Sequence, residues 1–98
     1  MKIMISQPMK GKTNEEIRKE REELVKKLEA KGYDVVDTVF TEETPKECDT
    51  ALYYLAKSIE AMAKVDGVVF MKGWHEARGC KAEHKIAVAY GKFVMLEG

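Results

Sequence analysis

The sequence predicts a single α/β domain built on an open, all-parallel sheet of four strands with three helices, and three observations lead there. Short apolar runs alternate with longer segments of helical periodicity, so the elements read βαβαβαβ. The run Gly67-Val68-Val69-Phe70-Met71 is apolar throughout, as a strand buried on both faces of a parallel sheet must be. The 98 residues, 45% of them hydrophobic, fill one domain over 1–98 with no repeat, linker or low-complexity stretch.

Each element has its own justification. Lys2 to Ser6 is short and apolar and stops at Gln7-Pro8, where proline cannot donate to a ladder. Thr13 opens the first helix, its hydroxyl capping the backbone while Glu16 reaches back in a capping box. Ile17, Leu24, Val25 and Leu28 form one stripe of that helix. Glu15/Lys19, Glu22/Lys26 and Glu23/Lys27 are spaced to pair on its other face, and Gly32 suits its C-terminal end. Tyr33 to Phe40 reads as the second strand, and the polar stretch Thr41 to Thr50, with Pro45, as a loop. Leu52, Leu55, Ala56, Ile59, Met62 and Ala63 mark a second helix running to about Lys64. After the apolar third strand, a third helix covers Gly79 to Tyr90, Gly91 ends it, and Phe93 to Leu96 is the last strand.

Right-handed crossovers give these strands the order 2-1-3-4, a flavodoxin-like or Rossmann-like topology. The direction of winding reverses between strands 1 and 3. Ligands of such sheets bind at the carboxyl ends of the strands at that switch point, so Ser6 to Lys12 and Lys72 to Arg78 are the loops expected to form a site. The first helix lies alone on one face of the sheet. Part of that face is expected to stay uncovered, and with a core this small a homodimer or higher homo-oligomer follows.

Charge and cysteine content narrow the partners. With 17 basic and 17 acidic residues the formal net charge is zero, which gives no field to draw in a nucleic acid polymer or a membrane surface. The apolar start is too short for a signal peptide or a span, and two cysteines, Cys48 and Cys80, suit free thiols in the cytoplasm.

The strongest candidate for chemistry is Glu83, a carboxylate on the helix that leaves the switch-point loop. A helix is a firm mount, and its positive N-terminal end favours the ionised form. Lys10, Gly11 and Lys12, near the start of the first helix, suit a sugar or a 5′-phosphate. The G-K-T at Gly11 to Thr13 is not a Walker loop: Ser6 stands where a glycine is needed, and Pro8 removes one of the N–H groups that would cradle phosphate. Cys80, His84, His75 and Glu83 lie close in sequence but lack the spacing of a zinc set, so no metal and no cofactor are expected. Trp74 either stacks on a nucleobase or covers the sheet edge. Asp66, opening the third strand, reads as a hydrogen-bonding cap. The six methionines and Tyr53-Tyr54 read as core filling or a subunit contact.

The pattern Gly79, Glu83, Ala87, Gly91, Lys92 and Val94, together with the opening K-I-M-I-S-Q-P-M-K-G, resembles the nucleoside 2-deoxyribosyltransferase superfamily, in particular its small phage and bacterial branch. The resemblance spans nearly the whole chain in element order. It implies a nucleoside or nucleotide as ligand and transfer or hydrolysis of its N-glycosidic bond, with Glu83 as the nucleophile. It further implies a sugar-binding loop over Ser6, Gln7, Pro8, Lys10 and Gly11, with Gly79 of the quoted pattern beside it. The chain departs from the pattern at three places. A helix aspartate that handles the base is matched by Ser58, an acidic position before the nucleophile by Ala77 with Glu76 next to it, and a first-strand tyrosine by Met4. A base leaving without proton help is a poor leaving group. The alternative is therefore a non-catalytic nucleotide-binding or sequestering protein of the same fold.

Overall fold

Strand β1 (Lys2–Ser6) is the axis of the sheet, pairing in parallel with β2 (Asp34–Val36) on one side and β3 (Gly67–Phe70) on the other. The computed structural model describes residues 1–36 and 47–97. Strand β4 (Phe93–Leu96) pairs with β3, so the four parallel strands run β2-β1-β3-β4, the order the crossover rule predicts. Three helices connect them: α1 (Asn14–Ala30), α2 (Thr50–Met62) and α3 (Arg78–Ala89), the last preceded by a 3₁₀ turn over Trp74–Glu76. The continuation of the second strand from residue 37 to Phe40, and the loop from Thr41 to residue 46, lie outside the described residues.

Local chemistry accounts for the element ends. The Thr13 hydroxyl accepts a hydrogen bond from the Glu16 amide at 3.1 Å, starting α1 as the capping motif requires. Asp49 does the same for α2, accepting from the Leu52 amide at 3.0 Å. Lys27, spaced to pair with Glu23, instead reaches Glu97 beyond β4 at 3.0 Å and ties the end of the sheet to α1. Asp66 behaves as the expected cap. Its Oδ2 accepts from the Lys2 amide at 2.9 Å, while its own carbonyl accepts from the Phe93 amide at 3.0 Å, so one residue gathers the starts of β1, β3 and β4.

Alternation along the strands splits the core in two. Ile3, Ile5, Val69 and Met71 pack under Leu24 and Leu28 of α1, whereas Met4, Val68 and Phe70 pack with Met62, Val65 and Ala87 on the other face. Single-helix coverage has the expected consequence. Met95 packs with the α1-side cluster, but Phe93, two residues away on the same face, is 51% exposed. Gly67 is required where β3 meets β4, since a Cβ there would lie 2.9 Å from the Phe93 carbonyl oxygen.

Candidate active site

The two loops assigned to the switch point do meet. Gly73 holds φ at +89°, a left-handed turn, and a Cβ placed on it would sit 3.7 Å from Pro8 Cγ. Together with α1 and α2 they border an open crevice of about 2060 Å³ at the carboxyl end of β1. Fitted small-molecule pockets are roughly 300–1,000 Å³. This is a trough, and selectivity must come from its floor.

The floor collects every buried polar side chain among the described residues: Ser6, Gln7, Arg21 and Glu83. They arrive from three elements. Ser6 ends β1, Gln7 follows it, Arg21 comes from α1 below one sheet face, and Glu83 comes from α3 on the other. Gln7 is fixed at both ends of its amide, its Nε2 donating to the Ile17 carbonyl at 2.8 Å and its Oε1 accepting from Arg21 Nε at 3.0 Å. Cys80, one turn before Glu83 on the same face of α3, is also buried and lines the crevice.

Glu83 is 8% exposed, and burial pushes its carboxyl above the ordinary value. The hydroxyls of Ser6 and Ser58 and the charge of Arg21 pull it back without cancelling the effect. Proximity stops short of a bond at two atoms: Ser6 Oγ and Glu83 Oε2 are both buried with no hydrogen-bond partner. A group with one polar atom between them would satisfy both. The helix terminus counts for less than expected because Glu83 lies in the second turn of α3, beyond the reach of most of the end charge, and desolvation dominates. Burial likewise raises the Cys80 thiol; Ser6 and the Lys12 charge oppose this, and the Glu83 charge adds to it. Cys80 is therefore a neutral, weakly reactive thiol.

The remaining candidates divide. Pro8, Lys10, Ser58, Glu76 and Gly79 line the crevice with Glu83. Lys12 also lines it, but its Nζ is held by both oxygens of Glu20 at 3.0 and 3.1 Å. Gly11 sits in the same loop with its φ at +79°. Trp74 is drawn away from the others. Its ring stacks on His84 at 4.3 Å and tilts against Phe70 at 5.5 Å, packed onto the α2/α3 side of the core. Ala77 lines the crevice as the residue before α3, and Met4 is buried in the core. His84, turned to Trp74 and Phe70, does not join Cys80, and no group of three potential metal ligands occurs among the described residues. Cys48 and Cys80 are both free thiols.

Two residues of the site escaped sequence reasoning. Arg21 falls between Ile17 and Leu24 at helical spacing, so a charge inside an apolar stripe was the available signal. Tyr54 lines the α2 wall of the crevice, and nothing in its spacing separates that role from a core position.

Fold and floor together define an α/β protein with an open crevice at the carboxyl end of β1, its floor holding a buried glutamate. The chain belongs to the family described as a domain of unknown function, DUF4406, whose pattern matches residues 1–96. No curated protein and no solved structure matches it. No helix among the described residues is long and apolar enough to cross a membrane.

Proposed function

We propose that this protein cleaves or transfers the N-glycosidic bond of a nucleoside or nucleotide, with Glu83 as nucleophile. One observation carries the reading: a glutamate on a rigid helix, buried at the floor of a crevice, keeps one carboxylate oxygen without a partner beside an equally unpartnered serine hydroxyl. The resemblance around Gly79, Glu83 and Gly91 supplies the reaction class. Glu83 attacks the anomeric carbon as the bond to the base breaks, giving a glycosyl ester and a base that takes up a proton. Water or a second base then attacks the same carbon, releasing the Glu83 carboxylate, and the proton of the attacking group passes to solvent or a crevice base. Ser6 and Gln7 border the sugar. Glu76, exposed on the crevice wall, stands closest in sequence to the missing acidic position and serves as the proton donor.

The ligand on this reading is a nucleoside or nucleotide held without cofactor or metal, and the trough leaves room for a base and a sugar together. A second reading, nucleotide binding without turnover, is favoured by Ser58 and Ala77, which present no acid where the resemblance implies one. The uncovered apolar positions Phe93 and Leu96 on β4, with Val88 of α3 and Tyr90 just beyond its end, support self-association as a homodimer or higher homo-oligomer.

Incubation with a panel of deoxynucleosides and their 5′-monophosphates, with release of free base followed by chromatography, tests the first reading. Glu83→Ala is expected to lower the rate at least about 10³-fold. A Glu83→Ala variant with full activity refutes the nucleophile. Thermal stabilisation by nucleotides with no free base released selects the binding protein. If no ligand shifts the melting temperature and no base appears, both readings fail.

A further inference from the structure

Strand β4 ends the sheet on one side, and no described strand lies beyond it. The Phe93 and Glu97 amides donate to the Asp66 and Phe70 carbonyls at 3.0 and 2.8 Å. Alternate residues of a strand bond to the same neighbour, so the N–H and C=O groups of Val94 and Leu96 point outward at the open edge. Natural edges are blunted by proline, by a bulge or by a charge on the strand. This edge has none of them. Phe93 to Leu96 is apolar throughout and pairs with Gly67 to Phe70 residue for residue, which leaves no bulge. The charges that flank it are tied to their own chain: Lys92 Nζ donates to the Val65 carbonyl at 2.8 Å, and Glu97 holds Lys27 at 3.0 Å. Phe93 and Leu96, on opposite faces of the strand, are both exposed.

We propose that the β4 edge is the interface for a second copy of this chain, the two β4 strands pairing antiparallel about a two-fold axis at Met95 to form one continuous sheet. Self-complementarity selects this occupant. With Met95 on the axis, Val94 of each copy faces Leu96 of the other, and every outward N–H and C=O of these residues finds a partner. Centring the pair on Val94 is poorer, because it sets Leu96 opposite Lys92, whose N–H is already given to the Ala87 carbonyl. The side chains match as well. On one sheet face Val94 and Leu96 lie beside Leu96 and Val94 of the second copy; on the other, the two Met95 side chains meet and Phe93 reaches Met95 of the second copy across the diagonal. An unrelated partner would need its own matching apolar edge, whereas a second copy necessarily carries one. Stable interfaces bury about 800 Å² per partner. Exposed Val88 and Tyr90, at the end of α3 where the chain leads into β4, add to what the strand edge supplies. The crevice is lined by other residues, so the interface and the role of Glu83 are tested apart.

Sedimentation of the intact chain is expected to show a dimer. Leu96→Pro removes an outward N–H, keeps an apolar side chain and takes no bond from the ladder with β3, a position where a strand tolerates proline. It is expected to convert the protein to monomer with its circular dichroism unchanged. Met95→Cys, made together with Cys48→Ser to silence the exposed thiol, is expected to form an intermolecular disulfide under copper phenanthroline and air. Residues facing each other in a non-hydrogen-bonded antiparallel pair have Cα atoms about 4.5 Å apart, within disulfide reach. If Leu96→Pro does not fold, Leu96→Lys places a charge on the edge and gives the same readout. A monomeric wild-type chain at its highest soluble concentration overturns the proposal. So does a folded Leu96 variant that stays dimeric, or a dimer of the Met95→Cys variant that does not cross-link, since the copies would then meet elsewhere.

Discussion

Replacing Glu83 by glutamine is expected to stabilise the fold while abolishing the chemistry. The native carboxyl has one buried oxygen without a partner, and an unmet buried acceptor costs about 1–3 kcal/mol. Glutamine keeps the shape, carries no charge and presents an N–H that can donate to Ser6 Oγ, itself unpartnered. Its second N–H still needs a partner, so the net gain falls at the low end, about 1 kcal/mol, or ~4–8 °C in Tm for a domain this size. The pH dependence identifies the cause. Because burial raises the folded-state value of Glu83, the unfolded chain releases its proton first as pH rises. Stability is then fully present below the ordinary glutamate value, falls as pH rises through the raised folded value, and stays lower above it. The variant has no such proton, so its advantage should be smallest below the ordinary glutamate value and grow as pH rises through the raised folded value. Thermal unfolding followed by circular dichroism across that range measures it. Equal Tm for the two proteins above the raised folded value, or a gap that does not change with pH, would refute the argument that desolvation of Glu83 strains the native state.

Three further outcomes follow from the fold. Thr13→Ala should cost about 0.5–2 kcal/mol in urea unfolding by leaving the Glu16 amide uncapped, and Thr13→Ser should cost far less. Gly67→Ala forces a Cβ to within 2.9 Å of the Phe93 carbonyl oxygen. Overpacking of that kind costs typically about 1–3 kcal/mol, read as a lower urea midpoint, and a variant as stable as wild type would show that β4 can move aside. Exposed Cys48 should react with a thiol reagent in the native protein well before buried Cys80, and both should react together in denaturant; equal native rates would contradict the burial of Cys80.

Most of the fold was legible because its signals are local or follow from chirality. Thr13 and Glu16 announce the start of α1, the apolar run at Gly67 announces a central strand, and handedness then fixes the order β2-β1-β3-β4 without any knowledge of packing. The loops of the site were legible for the same reason. What spacing cannot show is which way a side chain turns once two loops and three helices close on it. Trp74 lies in a crevice-forming loop, yet its large apolar ring finds a better partner in Phe70 and His84 than in the open trough. Arg21 was passed over because an arginine on a helix is usually solvated, and only the packing of α1 across the end of β1 puts it inside. Glu83 illustrates both sides. Its position was readable from the sequence, whereas the sign of its electrostatic environment depends on burial that only the folded chain provides.

The floor of the crevice draws Ser6 and Gln7, Arg21, Ser58 and Glu83 from positions spread over most of the chain. Any fragment that contains them all must run from Ser6 to Glu83, most of the chain. Parallel pairing between β1 and β3 joins residues more than sixty positions apart, and such contacts form late because the intervening chain must be ordered first. A ligand of this floor can therefore recognise only the finished fold, never a partly folded chain, and its presence would draw late intermediates toward the native state by mass action. Occupancy of the crevice would then report the completion of folding as directly as any spectroscopic probe of the core.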